Sequence, residues 1–440
     1  MSGRWINRWL AAAAGILLAG FLASAQDGTY NGYTPYSVYG IGELHTSGSA
    51  YNSSMGGVGI ANRTRRYVNF MNPASVTARD SLSFMADYSM SAKSSIYSQA
   101  GRHSAKNLFN INDFVISFPI YRSSAMMIGI TPLSNTGYDF TYVETDQDLI
   151  GRTGNQVYSA SGNGSIYQFF AGGAVTFWKR LSLGAEYIMN FGNIDKNVDM
   201  AFSNTSFRSI QSGYTLQLRG SSAKFGLQYE QPLGARESVV VGATYRLKSS
   251  LKGYSTEFAY ANMSSLVDTL RHREINLSEG NKIRFGDELG FGLSYRNGEK
   301  WSAEIDYVRS DWRNSGFETV NGFSNVSAYT FTSGVAQSFR AGFEMTPNRN
   351  DIRYRWKRCT YRAGAYYEQS YYRLDGKSVD SFGITLGATI PVFQGYNGIT
   401  VGLDIGKKGT VANNGIRENY FGLNIGFNIF DIWFVKQRYD

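Results

Sequence analysis

Residues 381–390, Ser-Phe-Gly-Ile-Thr-Leu-Gly-Ala-Thr-Ile, decide the fold class. Phe382, Ile384, Leu386, Ala388 and Ile390 fall on one side of an extended chain, and Ser381, Gly383, Thr385, Gly387 and Thr389 on the other. The same beat runs through 399–406, where Ile399, Val401, Leu403 and Ile405 alternate with Thr400, Gly402, Asp404 and Gly406. In 421–429, Phe421, Leu423, Ile425, Phe427 and Ile429 alternate with Gly422, Asn424, Gly426 and Asn428. Period two with one wholly apolar face marks a strand whose apolar side meets lipid or a core.

Outward from these three, the pattern recurs at 181–191, 223–229, 289–296 and 339–345. Counting runs predicts about fourteen strands, an even number as single-chain outer-membrane barrels require. They span 81–91, 111–121, 124–133, 166–178, 181–192, 214–230, 238–250, 285–296, 300–310, 331–346, 359–370, 381–392, 399–407 and 420–430. Short turns near 122–123, 179–180, 232–237, 297–299, 347–358 and 393–397 alternate with long Ser/Asn/Gly-rich loops, the largest at 134–165 and 251–284. Long loops on one side and short turns on the other place both termini in the periplasm. The reading is all-β: a transmembrane antiparallel barrel occupying 81–440.

Composition agrees. Of 440 residues, 18% are charged and 15% aromatic, with 49 Gly and one Cys. Soluble chains carry about 25% charge, while a mean hydropathy of -0.28 is too polar for a helical bundle in lipid. A lone Cys359 excludes an internal disulfide, and the aromatic content excludes disorder. Residues 1–25 read as a cleaved signal peptide: Arg4 and Arg8, an apolar run at 9–22, then Ala23-Ser24-Ala25. Without that segment 41 basic residues face 34 acidic ones, a net +7. No basic run is interleaved with stacking aromatics, so nucleic acid is not an expected partner. The chain is expected in the outer membrane of a Gram-negative bacterium, with its lipid as one partner.

If the apolar face meets lipid, the other lines the lumen with Glu186, Lys224, Arg246, Glu304, Asp306, Arg340, Glu344, Arg362 and Asp404. Both signs are present, which suits no single-sign filter. Either these charges bond a docked plug or they sit hydrated near the rims. The pair Glu304 and Asp306 is expected to form structural salt bridges to Arg340 or Lys224. Residues 26–80, ahead of the first strand, are long enough to be the plug. They hold Met55-Gly56-Gly57 and Asn72-Pro73-Ala74, signals of tight irregular backbone. The turn carrying Arg349, Arg353, Arg355, Lys357 and Arg358 is either a solvated turn touching lipid phosphates or a docking patch for an acidic periplasmic partner.

No catalytic arrangement, cofactor site or metal spacing emerges. His45 falls in the plug segment, and His103 and His272 in two separate surface loops; Cys359 reads as a packing residue. Tyr245, Tyr295, Tyr307, Tyr361 and Phe169 fall near strand ends, where aromatic rings anchor a barrel at the headgroups.

Met55-Gly56-Gly57 followed by Asn72-Pro73-Ala74, just before the first strand, resembles the N-terminal pattern of the long-chain fatty-acid transporter (FadL-like) family. Further stretches resemble a poorly characterised branch of that superfamily: Pro35-Tyr36-Ser37 with Tyr39-Gly40-Ile41-Gly42, residues 361–368, residues 383–387, and Trp433-Phe434 with Tyr439-Asp440. The resemblance implies a fourteen-stranded barrel plugged by a small N-terminal hatch that carries the Asn-Pro-Ala motif. It also implies passive uptake of hydrophobic small molecules. The chain departs from the pattern at Arg63, Arg65 and Arg66, where small and acidic residues are expected. The alternative is a non-transporting barrel that serves as a subunit of an outer-membrane protein assembly or secretion complex, with a periplasmic or outer-membrane protein as partner.

Overall fold

In a computed structural model, residues 32–80, 82–204, 206–263, 266–279, 283–323, 329–392, 397–412 and 415–432 are described. The expected signal peptide and the closing motif at 433–440 lie outside them. Fourteen antiparallel strands close into a barrel. They are β1 Ser83–Gln99, β2 Arg102–Tyr121, β3 Ser124–Val143, β4 Gln156–Phe177, β5 Leu181–Phe202, β6 Ser209–Pro232 and β7 Glu237–Arg246, then β8 Asp287–Asn297, β9 Trp301–Asp311, β10 Val335–Met345, β11 Thr360–Leu374, β12 Lys377–Pro391, β13 Gly398–Lys408 and β14 Arg417–Ile432. Closure comes from β14 pairing β1 along its length, from Arg417↔Ser98 to Ile432↔Ser83. Closure pairs strand backbone groups with one another instead of with water, the condition for crossing lipid.

The alternation has its predicted consequence. Phe382, Ile384, Leu386 and Ile390 are all about half exposed on the outer surface, while Thr385 and Thr400 on the opposite face are buried. The chain is a transmembrane barrel of the outer-membrane type.

The expected strands all exist, but several outrun their predicted ends. The expected loop at 134–165 is largely strand, because β3 and β4 pair up to Val143↔Val157. Most of 251–284 is also strand: Ser249–Met263 continues the wall against β6 and forms a hairpin with Leu266–Asn276. The connections at 92–110 and 371–380 shrink to the tight turns Ala100-Gly101 and Asp375-Gly376, so connection length does not alternate strictly. His103 and His272 consequently sit on strands, not in loops. Above the bilayer neither strand face must be apolar, so the period-two signal fades while the hydrogen-bond ladder continues.

One wall is split. β2 and β3 pair only from Tyr121↔Ser124 to Phe114↔Ile130. Beyond that point β2 stays with β1, and β3 diverges at Pro132, which has no N–H to donate and marks a register shift against β4. The freed edge of β3 takes a substitute partner from the N-terminal segment, with Glu43↔Asn135 and Leu44↔Ser134 in register. Gly32, the first described residue, therefore lies against Asn135 in the outer half. The strand ends Ser83 and Ile432 lie at the short-turn end, as expected, but the segment before them traverses the barrel rather than starting beside them.

Candidate functional site: the N-terminal segment in the lumen

Residues 32–80 run down the lumen, touch strands around the whole wall and fill it in two layers. The outer layer is apolar. Thr34 caps a 3-10 turn, Pro35–Val38, and behind it Tyr36, Val38, Tyr39 and Ile41 pack against Tyr371, Trp312, Phe317 and Phe323. Trp312 to Phe323 belong to the β9–β10 connection, which folds inward: the Gly40 N–H donates to the Phe323 carbonyl at 2.7 Å. The Tyr371 hydroxyl donates to the Gly42 carbonyl at 2.8 Å, and buried Lys196 donates to the Val38 carbonyl at 2.8 Å.

The inner layer is polar and built on the two predicted motifs. Pro73 disfavours a helical Asn72, which lies at φ -128° and ψ 116°. From there Asn72 accepts from the Ala74 N–H at 3.0 Å, capping the 3-10 turn Pro73–Thr77, and donates to the Ile60 carbonyl at 2.8 Å. Gly56 and Gly57 take φ +75° and +77°, the left-handed region open to glycine. Gly56 donates to Thr385 Oγ1 at 2.7 Å and lies so close to Gly364 that a Cβ there would strike the Met55–Gly56 backbone.

Five of the nine predicted luminal charges grip this segment directly. Asp306 accepts from the Gly59 and Ile60 N–H groups at 2.7 and 3.0 Å. Glu304 accepts from the Ala61 N–H and from Asn62 Nδ2, both at 3.0 Å. The salt bridges expected for this pair are replaced by three backbone N–H donors and the Asn62 amide. Arg340 donates to the Gly57 carbonyl at 3.1 Å, and Arg362 lies 3.4 Å over the Tyr51 ring. Glu344 joins both sides, pairing Arg66 and Arg362 at 3.1 Å each. The others pair within the wall: Glu186 with Lys224 at 4.0 Å, Arg246 with Glu288 at 3.1 Å, and Asp404 with the Tyr366 hydroxyl at 2.9 Å. Glu304, Asp306, Arg362, Glu186, Lys224 and Glu344 are all under 9% exposed, so none is a hydrated rim charge.

The family model described as BamG matches residues 8–440. The chain belongs to the BamG family. No curated relative matches it in sequence. Among solved structures, it is similar to the Ralstonia pickettii toluene transporter TbuX, with a TM-score of 0.58 at 13% identity over 87% of this chain and 98% of that one. It is similar to the P. putida toluene transporter TodX, with a TM-score of 0.57 at 12% identity over 89% of this chain and 100% of that one. A Pseudomonas aeruginosa FadL homologue gives 0.56 at 10% identity, covering 89% and 99%. This BamG-family chain therefore has the FadL-type barrel fold.

Other features of the BamG-family barrel were not foreseen. Arg63 donates to Ser182 at 2.7 Å and pairs Glu230 at 3.3 Å. Tyr51 stacks on Tyr67 with ring centroids 3.5 Å apart. Asn69 and Asn52 hold the Gly59 and Val58 carbonyls at 2.6 and 2.7 Å. Four Asn residues within a Gly-rich stretch were the available signal, since side-chain amides satisfy irregular backbone that is shut away from water. Just inside the wall split lies a cavity of about 250 Å³ whose lining includes Lys93, Glu418, Asp404 and Lys408. Lys93 and Glu418 pair at 2.7 Å, and Lys408 pairs Glu43. In the basic turn, Lys357 pairs Asp351 and Arg349 pairs Glu299, both at 3.6 Å, while Arg355 and Arg358 bound a one-turn helix. Cys359 follows it, its thiol 3.6 Å from the Arg355 carbonyl. Among the described residues no group of His, Cys, Asp and Glu could hold a metal.

Proposed function

We propose that this chain is a non-catalytic barrel, exported by a cleaved signal peptide, that serves as a membrane-embedded subunit of an outer-membrane protein assembly. The observation that carries the reading is the double filling of the lumen by residues 32–80. The outer layer is a packed apolar core, and the inner one anchors buried backbone on wall carboxylates. Removing one partner of such a buried polar contact costs about 1–3 kcal/mol, so displacing the whole plug would require many such losses at once. The cavity behind the wall split is lined by ion pairs, an environment that would tax an oily solute.

The second reading is passive uptake of a hydrophobic small molecule, favoured by the split itself. The unpaired stretch of β2 and β3 beyond Phe114↔Ile130 is a weak point in the wall at which a solute could pass sideways between lumen and lipid. Two measurements separate the readings. Purification in mild detergent is expected to return a stoichiometric complex, and proteoliposomes of the chain alone are expected to show no flux of fatty acids or aromatic hydrocarbons. A lone barrel that carries such a solute, with lipid-like density inside it, would replace the first reading by the second.

A further inference from the structure

Arg63, Arg65 and Arg66 depart from the transporter pattern and find their setting at the short-turn mouth. There a cavity of about 470 Å³ is lined by these three with Arg79, Lys179 and Arg296, against only Glu230, Glu299 and Glu344. Several cations are already matched: Arg63 to Glu230, Arg66 to Glu344, and Arg65 to Asp80 at 3.1 Å. Arg79 is not. One of its nitrogens donates to Ser117, and the guanidinium, which lines the cavity, has no carboxylate partner among the described residues. Burial without a carboxylate draws its guanidinium down to about 10. A guanidinium without a carboxylate partner gains from an oxyanion brought beside it, through a charge-assisted contact.

The cavity continues sideways. A second one, of about 510 Å³, shares Arg66 and Glu299 with the first and reaches Arg349 and Arg358 of the basic turn. Arg358 shares with Arg79 the lack of a carboxylate partner among the described residues, while its neighbour Lys357 pairs Asp351. The two arginines without a carboxylate partner thus lie along one elongated, net-positive groove. Its lining residues Arg296, Ser302 and Glu344 belong to the inner wall, so the groove opens inside the barrel rim and not toward the lipid headgroups. An occupant therefore arrives from the periplasm, and the elongated shape fits an extended chain better than a single small ion.

We propose that this mouth groove binds an extended acidic segment of a periplasmic polypeptide, with Arg79 and Arg358 as its carboxylate anchors. The proposal rests on the subunit reading and names the chemistry of the partner. The probe is fluorescein-labelled hexaglutamate, titrated into the purified full-length barrel in detergent at low and high salt, with inorganic phosphate as the second arm. The peptide is expected to bind and to weaken with salt. Arg79→Gln or Arg358→Gln is expected to weaken it about tenfold or more, the loss of one charge-assisted contact. Lys179→Glu, at an exposed edge position that does not threaten folding, should weaken binding in the same direction. Arg208→Gln at the opposite end should leave it unchanged; heat-dependent gel mobility reports folding of every variant. Absent peptide binding, equal loss in Arg208→Gln, or binding of phosphate without peptide would each overturn the proposal. A barrel that binds the peptide but purifies alone and conducts solutes keeps the groove and removes the subunit reading. One that purifies in a complex but ignores the peptide does the reverse.

Discussion

Glu304 and Asp306 stand two residues apart on β9, and both carboxylates end on backbone N–H groups of residues 59–61. Their inward direction was legible from alternation, but their partners were not, because backbone donors carry no side-chain signature. Asp306→Ala is expected to loosen the segment by about 1–3 kcal/mol for each buried N–H left unpaired, and Asp306→Asn by less, since one acceptor oxygen remains. Limited proteolysis would read this as faster cleavage within residues 50–70 while the barrel keeps its heat-dependent gel mobility. His45 gives a pH test at the same scale. Burial pushes its imidazole from 6.5 down to about 4, opposed by Glu368. The folded value lies below the unfolded one, so the released segment takes up a proton first as pH falls. Docking that depends on neutral His45 is thus intact above the unfolded value and weakens as the pH drops toward 4. Hydrogen-exchange protection around residues 43–47 should follow that course, and His45→Gln should flatten it.

Among the elements, the strands were the legible part and the luminal turns only half so. The sequence located all fourteen strands because lipid on one side imposes an apolar face, and it lost their outer ends where that demand stops. Residues 157–165, Val-Tyr-Ser-Ala-Ser-Gly-Asn-Gly-Ser, show no apolar face and yet pair with β3 throughout. The Asn72-Pro73 turn was readable as rigid irregular backbone, and the structure adds that Asn72 both caps the 3-10 turn and ties it to Ile60. Asn72→Ala is expected to destabilise that turn by about 0.5–2 kcal/mol, the range for losing an N-terminal cap. Gly364→Val on β11 should act more strongly on the segment than on the barrel, because its side chain would enter the space of the Met55–Gly56 backbone. The expected outcome is a folded barrel with an accessible segment, measured by labelling of a Met55→Cys reporter in the Cys359→Ser background. Unchanged labelling would remove the close approach from the account.

For the whole molecule, the barrel and its luminal segment are held by different forces. The wall closes through inter-strand hydrogen bonds from β1 to β14, which do not depend on what fills it. Deleting residues 32–71 is therefore expected to leave a folded barrel that conducts in planar bilayers, whereas the intact chain stays nearly closed; a deletion that remains shut would show that the wall alone closes the pore. The sequence by itself determined the class, strand number and inward face, since a transmembrane barrel must show lipid an apolar residue at every second position. It also marked the two motifs that shape the N-terminal segment, because Gly and Asn-Pro constrain the backbone locally. Only the tertiary structure decided what the inward charges hold, that β2 and β3 part above Phe114, and that arginines distant in sequence line one mouth. Those outcomes depend on which residues a closed wall brings face to face across the lumen, and no local pattern records contacts between positions more than two hundred residues apart.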